Sequence, residues 1–213
     1  MPLMMVGEFV VALVAFFLAV VCHEYAHGRV AYALGDPTAR DAGRLTLNPL
    51  AHIDPVGTVL LPLLLAGLRV VSGVEVPIVG YAKPVPINPI YFRHPYQGMM
   101  LVALAGPATN LLLAGLGLGL WWGAHPPQLL GFFLFYFVVV NVVLAAFNLI
   151  PVPPLDGSRI LLYLLPEPLR RVLLLLEPFG FLVIFLLLVA GVLQPLLLPI
   201  VSWVGKLFGG GFS

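Results

Sequence analysis

Charged residues are scarce in this 213-residue chain, since Asp, Glu, Lys and Arg together make up only 9% of it. That composition excludes an ordinary water-soluble domain, in which about a quarter of the residues are charged. The net charge of +1 and the scattered basic residues give no basis for a nucleic-acid partner. A single cysteine, Cys22, excludes an internal disulfide.

Apolar runs dominate the chain instead. Hydrophobic residues make up 61% of it, the mean hydropathy is +1.08, and several runs reach the roughly 20 residues that span a hydrocarbon core. We therefore predict an all-α polytopic protein, surrounded by membrane lipid, with about six transmembrane or re-entrant helices. The predicted apolar segments cover residues 5–34, 55–72, 97–122, 129–150, 169–193 and 195–208.

Residues 73–96 differ from these segments, because they combine five prolines with β-branched residues and have no helical periodicity. They predict a small membrane-associated β hairpin with a proline-rich loop. Without a repeat or a soluble appendage, residues 1–213 are predicted to form one membrane domain. Its core covers about 5–165, and C-terminal helices cover about 169–208.

An HExxH motif, His23-Glu24-Tyr25-Ala26-His27, ends the first apolar run. Residues i and i+4 share a helix face, so His23 and His27 can bind one Zn²⁺ with Glu24 beside the remaining position. HExxH also occurs by chance, but burying these groups in an apolar helix is costly unless they face a cavity, a partner or a metal. Since lipid excludes water, the motif indicates peptide hydrolysis inside the bilayer.

A catalytic zinc site needs a third protein ligand, for which Asp156 is the strongest candidate. It follows Pro153 and Pro154 in an irregular break at the end of an apolar run. Such a break is tolerated at membrane depth only where protein buries it or where it lines a wet cavity. Capping of a helix that begins near Ser158 would explain Asp156 equally well.

HEYAHG at 23–28, taken together with NLIPVPPLDG at 148–157, resembles the site-2 protease family of intramembrane zinc metalloproteases. GRLTLNPLAHIDPVG at 43–57, GYAKPVPINP at 80–89 and AGPATN at 105–110 resemble its compact bacterial and archaeal branch, which lacks a PDZ or CBS domain. The resemblance implies cleavage of transmembrane segments of other membrane proteins in regulated intramembrane proteolysis. It also implies a location in a prokaryotic cell (inner) membrane.

The same resemblance assigns residues to roles. One Zn²⁺ per chain would be bound by His23, His27 and Asp156, and Glu24 would be the catalytic acid and base. Asn110 and Asn148 resemble intramembrane asparagines that help to hold substrate or the developing oxyanion.

Three further polar residues have less specific interpretations. His52 and Asp54 are interpreted as partners in hydrogen bonds, either across helices or to the metal ligands. Asn141 shares a helix face with Asn148, and hydrogen bonding between helices is the favoured role for it.

Orientation follows from the basic residues. Arg29, Arg40 and Arg44 follow the first helix, whereas no Lys or Arg precedes it, so its C-terminal end is predicted to be cytoplasmic. The metal site would then lie within the bilayer, nearer the cytoplasmic face.

Two alternatives remain open at the level of sequence. Intramembrane His, Asp and Glu also mark metal-ion or proton transporters, although transporters usually contain a repeat. A different membrane zinc protease would combine HExxH with a glutamate as third ligand, but no helix here carries a matching motif.

Overall fold

The computed structural model describes residues 2–72, 81–124 and 126–209, and within these ranges the chain forms helices, turns and loops but no strand. Four helices are long and apolar enough to cross a membrane: Val10–Ala33, Pro95–Ala124, Gln128–Asn148 and Glu167–Val189. The prediction of an all-α membrane protein is therefore confirmed. In chain order the helices are α1 Pro2–Ala33, α2 Thr38–Asp41, α3 Leu61–Ser72, α4 Pro95–Ala124, α5 Gln128–Asn148, α6 Asp156–Leu164, α7 Glu167–Leu176, α8 Gly180–Val189 and α9 Gln194–Leu207.

Two of the predicted apolar segments form helices that are shorter than a span. The apolar stretch Pro55–Arg69 includes most of α3, and α9 has 14 residues. At 1.5 Å per residue each is only about 20 Å long, less than the roughly 30 Å of a hydrocarbon core. Among the described residues, the six predicted apolar segments thus correspond to four candidate spans and two shorter helices.

The centre of the bundle is formed by α1, α4 and α5, and α4 also packs against α6. Small residues permit these close contacts, as is usual between helices in a membrane. Ala15, Ala19 and Ala31 of α1 are fully buried. The outward surface of α4 is apolar, with Leu112 70% exposed and Trp122 65% exposed, which is a surface suited to lipid.

The predicted β hairpin is not supported. Residues 73–80 lie outside the described residues, and residues 81–88 have no regular secondary structure. Pro84 and Pro86 supply a physical reason, because neither has the N–H that a strand ladder would need at that position. We call residues 81–88 the 81–88 segment.

Hydrogen bonds hold the 81–88 segment against the loop that follows α2. The N–H of Tyr81 donates to the carbonyl of Gly57 (3.0 Å), and the N–H of Lys83 donates to the carbonyl of His52 (2.9 Å). The guanidinium of Arg44 donates to the carbonyl of Lys83 (2.6 Å). These backbone groups of the proline-rich stretch are thus paired with residues between α2 and α3 instead of a neighbouring strand.

Asp36 joins the end of α1 to the same segment. It is fully buried, and its Oδ1 accepts hydrogen bonds from the backbone N–H (2.9 Å) and the hydroxyl of Thr38. Its Oδ2 accepts from the N–H of Asn88 (2.7 Å). One carboxylate therefore fixes both the turn after α1 and the far end of the 81–88 segment.

We predict that Asp36→Ala lowers the free energy of unfolding by about 1–3 kcal/mol, because it leaves the Asn88 N–H without its acceptor. Thermal unfolding of the detergent-purified protein should show a lower midpoint. Asp41→Ala is the matched control, since the Asp41 carboxylate is exposed and pairs with the adjacent Arg40. Equal midpoints for the two variants would contradict this role of Asp36.

Candidate metal centre

His23 and His27 lie one turn apart on the buried face of α1, with relative exposures of 4% and 6%. Their Nε2 atoms are 2.9 Å apart. Asp156, the first residue of α6, places its Oδ2 at 3.2 Å from His23 Nε2 and 3.4 Å from His27 Nε2. The structure thus brings together residues separated by about 130 positions in the sequence.

The hydrogen bonds on the other side of each ring define its tautomer. His23 Nδ1 lies 2.6 Å from Asn110 Oδ1, and His27 Nδ1 lies 2.7 Å from the carbonyl oxygen of Val102. Both partners are acceptors, so both Nδ1 atoms carry the proton. In the neutral rings each Nε2 therefore presents a lone pair toward the other and toward Asp156.

The orientation of the Asn110 amide is fixed in turn by α5. Asn110 Nδ2 donates to Asn141 Oδ1 (2.8 Å) and to the carbonyl of Ala19 (3.3 Å), and Asn141 Nδ2 donates to the carbonyl of Phe137 (2.8 Å). Asn110 and Asn141 are both fully buried. Asn141 has the interhelical role that the sequence favoured, and the pair orients the His23 ring.

This donor set fits a divalent cation such as Zn²⁺. Three lone-pair atoms converge, all within 4.8 Å of one another, and the buried Asp156 Oδ2 accepts no hydrogen bond. Ligands arranged tetrahedrally at about 2.0–2.1 Å from a zinc ion lie about 3.3 Å apart, close to the distances between these three atoms. Among the described residues, no other group of His, Cys, Asp or Glu has this arrangement.

A feature that the sequence did not reveal is the close approach of α4 to the two imidazoles. A Cβ atom on Gly106 would lie 2.5 Å from His23 Cε1 and 2.5 Å from His27 Nε2. Only glycine leaves room for the rings here. The AGPATN stretch contained the signal, but a glycine in a helix does not indicate which side chain it approaches.

Glu24 is half-buried, beside the paired imidazoles. Its Oε2 accepts a hydrogen bond from the backbone N–H of Val85 in the 81–88 segment (2.9 Å). Val85 is itself buried. The carboxylate is therefore held by a main-chain donor.

The backbone around Asp156 is tightly packed and includes a cis peptide bond between Pro153 and Pro154. A Cβ atom on Gly157 would lie 2.2 Å from the carbonyl oxygen of Leu149. Asp156 does not cap α6, because the N-cap position is Leu155 and the Asp156 carboxylate faces the imidazoles. The capping alternative left open by the sequence does not hold.

The other predicted site residues make different contacts. Asn148 Nδ2 donates to the carbonyl of Leu144 in its own helix (3.0 Å). His52 Nε2 lies 3.0 Å from the carbonyl oxygen of Thr46. Asp54 caps the turn that follows it, accepting from the N–H groups of Val56 and Gly57.

None of the contacts described for His52 and Asp54 reaches the paired imidazoles or Asp156. Their hydrogen bonds organise the loop against which the 81–88 segment packs. The interpretation of these two residues as partners of the metal ligands therefore finds no support in the described hydrogen bonds.

Comparison with known proteins finds a matching peptidase family and relatives that share one description. The model of peptidase family M50 matches residues 123–191, which include Asp156. YwhC of Bacillus subtilis is 38% identical over 210 residues, covering 94% of this chain and 89% of the relative. Rip2 of Mycolicibacterium smegmatis is 34% identical over 207 residues, covering 95% and 75%. Each relative is named "Putative zinc metalloprotease". No solved structure matches the chain significantly.

We predict that Asn110→Leu weakens metal binding by about 10–100-fold, because the His23 Nδ1–H loses the acceptor that orients the ring. Titration of the metal-free protein with Co²⁺ would measure the affinity. Asn148→Leu is the control, since its amide bonds only its own helix among the described contacts. An Asn110→Leu variant that binds Co²⁺ as tightly as the control would contradict the orienting role.

Proposed function

The chain belongs to peptidase family M50, the site-2 protease family, and from this membership we propose that it is a zinc endopeptidase that cuts peptide bonds within transmembrane segments of other membrane proteins. One observation carries the proposal. Two distant parts of the sequence, HExxH on α1 and the aspartate that begins α6, place three lone-pair atoms within 4.8 Å of one another inside an apolar bundle.

In this proposal His23, His27 and Asp156 hold one Zn²⁺ per chain and leave a fourth position for water or substrate. When bound at such a site, zinc acts as a Lewis acid that activates water and polarises a carbonyl group. The protein supplies the geometry, because Asn110 and the Val102 carbonyl hold both imidazoles with their Nε2 atoms toward Asp156.

Glu24 is the proposed acid and base. It belongs to the same HExxH motif as the two histidines but is not one of the three residues whose ligand atoms converge. The Val85 N–H occupies Oε2, which leaves Oε1 to take a proton from the attacking water and pass it to the leaving amine. A carboxylate fixed in this way needs no rearrangement before proton transfer.

The two asparagines have distinct proposed roles. The amide of Asn110 is fully buried and engaged with His23, Ala19 and Asn141, which favours orientation of the metal ligand over contact with substrate. Asn148 is half-buried and uses one N–H within its own helix, so its second N–H is proposed to contact substrate or the oxyanion.

Cleavage within the bilayer is favoured by the position of the site. The two histidines lie within the candidate span Val10–Ala33, and the residues that orient them lie within Pro95–Ala124. Any protein substrate that reaches such a site must itself enter the bilayer. A transmembrane helix would have to unwind locally first, since its backbone hydrogen bonds protect the scissile bond.

The remaining assignments follow from the same proposal. Residues 1–213 act as one protease domain in regulated intramembrane proteolysis, in a prokaryotic inner membrane. Membership of a peptidase family sets aside the transporter alternative. The alternative with a glutamate as third ligand is disfavoured, because the candidate ligand group among the described residues contains Asp156 and no glutamate.

We predict that Glu24→Gln retains zinc but loses cleavage by several orders of magnitude, because ligation and proton transfer are carried by different residues. Cleavage of a reconstituted transmembrane substrate and the zinc content of the purified protein measure the two effects. His23→Ala is the comparison variant and should lose both. Full cleavage by Glu24→Gln would exclude it as the base.

The position of the cut tests the orientation. Because Arg29, Arg40 and Arg44 predict a cytoplasmic end for α1, the substrate should be cut within its apolar segment on the cytoplasmic half. Cuts should occur near Gly, Pro or Asn, which make local unwinding less costly. Mass spectrometry of the products from proteoliposomes locates the bond. Cuts confined to soluble loops would contradict the intramembrane mechanism.

A further inference from the structure

The candidate span Glu167–Val189 is interrupted near its middle by a short 3-10 turn, Glu177–Phe179, followed by Gly180 at the start of α8. We call residues 177–180 the 177–180 turn. A carboxylate and a proline inside an apolar span are unfavourable features, and ionisable residues there usually have a function. In the sequence, Glu177 belongs to none of the motifs of the metal site.

The first contact of this turn is made by Gly180. A Cβ atom on Gly180 would lie 2.3 Å from the carbonyl oxygen and 2.4 Å from the carbonyl carbon of Pro153. Because both partners in this contact are backbone, neither can move away as a flexible side chain would. The start of α8 is therefore seated directly on the loop that leads to Asp156.

The second contact is made by Glu177. Both of its carboxylate oxygens pair with the two terminal nitrogens of the Arg159 guanidinium. Arg159 lies three residues after Asp156, on the next turn of the nine-residue helix α6. A bidentate pair of this kind fixes direction as well as distance, so it restrains the rotation of α6.

From these two contacts we propose that the 177–180 turn is a positioning element for the metal centre, which sets the place and the angle from which Asp156 reaches His23 and His27. This inference rests on the proposed role of Asp156 as a metal ligand. Gly180 fixes the loop before Asp156, and Glu177 fixes the helix after it. Neither residue belongs to the candidate ligand group.

The proposal explains why a 3-10 turn interrupts the Glu167–Val189 span. Both contacts fall within this break. Gly180, which has no side chain, lets the backbone lie directly against the loop. Glu177 places a carboxylate where it can pair with Arg159.

The first test compares Gly180→Ala with Gly119→Ala. Gly180 has a φ of −58°, so alanine fits its backbone conformation, and the contact with the backbone of Pro153 and Pro154 is what opposes it. A Cβ atom on Gly119 would meet nothing within 4 Å. The full-length protein is freed of metal with a chelator, and its Co²⁺ affinity and visible absorption are measured in detergent.

Gly180→Ala should bind Co²⁺ at least tenfold more weakly than wild type and show an altered absorption spectrum, because the ligand geometry has changed. Gly119→Ala should match wild type in both. Equal affinity and spectra for both variants would overturn the proposal. Wild-type protein that fails to bind Co²⁺ would instead contradict the metal centre itself, so the two failures are distinguishable.

A second pair of variants keeps the test valid if Gly180→Ala does not fold. Glu177→Arg and Arg159→Glu should each weaken Co²⁺ binding, and the double variant R159E/E177R should restore it by reversing the pair. Both side chains are partly exposed and already carry opposite charges, so exchanging the charges buries no new ion. Single variants that bind as wild type, or a double variant that does not recover, would contradict the pair's role.

Discussion

Three lone-pair atoms, of His23, His27 and Asp156, lie within 4.8 Å of one another inside this apolar bundle. Two imidazole nitrogens 2.9 Å apart, with a carboxylate oxygen within 3.4 Å of both, repel one another unless a metal ion or a proton lies between them. Three neighbouring elements hold these atoms close together. α4 supplies the acceptors for both rings, α5 orients one of those acceptors, and the loop before α6 holds the carboxylate.

The sequence predicted the parts of this arrangement that have a fixed spacing or a distinctive composition. HExxH on an apolar helix placed His23 and His27 on one face because a helix repeats every 3.6 residues. The apolar runs predicted the four spans because a hydrocarbon core demands a minimum length. The association of Asp156 with the histidines came from the family resemblance, since spacing alone does not relate residues so far apart.

The features that the sequence did not predict depend on contacts between separate elements of the fold. A local stretch of sequence does not encode such contacts. AGPATN gave no indication that Gly106 approaches the imidazoles, because the same glycine could face lipid. The β-branched residues and prolines at 73–96 predict a hairpin, but in residues 81–88 the backbone N–H groups pair with carbonyls of Gly57 and His52 and with carboxylates of Glu24 and Asp36. His52 and Asp54 had the residue types of metal-site neighbours, and their contacts are instead with nearby backbone.

The hydrogen bond from the Val85 N–H to the Glu24 carboxylate affects which changes of sequence this protein tolerates. A main-chain N–H is present whichever residue stands at position 85, proline excepted, so substitutions there leave the donor to the carboxylate in place. For this hydrogen bond, the number of residues matters more than their identity. Bonds at Tyr81, Lys83 and Asn88 fix the register on both sides. Adding or removing one residue between them would direct a different backbone group at Glu24, so an insertion or deletion in this stretch would disturb the carboxylate directly, whereas a substitution at position 85 would act through the packing of the buried side chain.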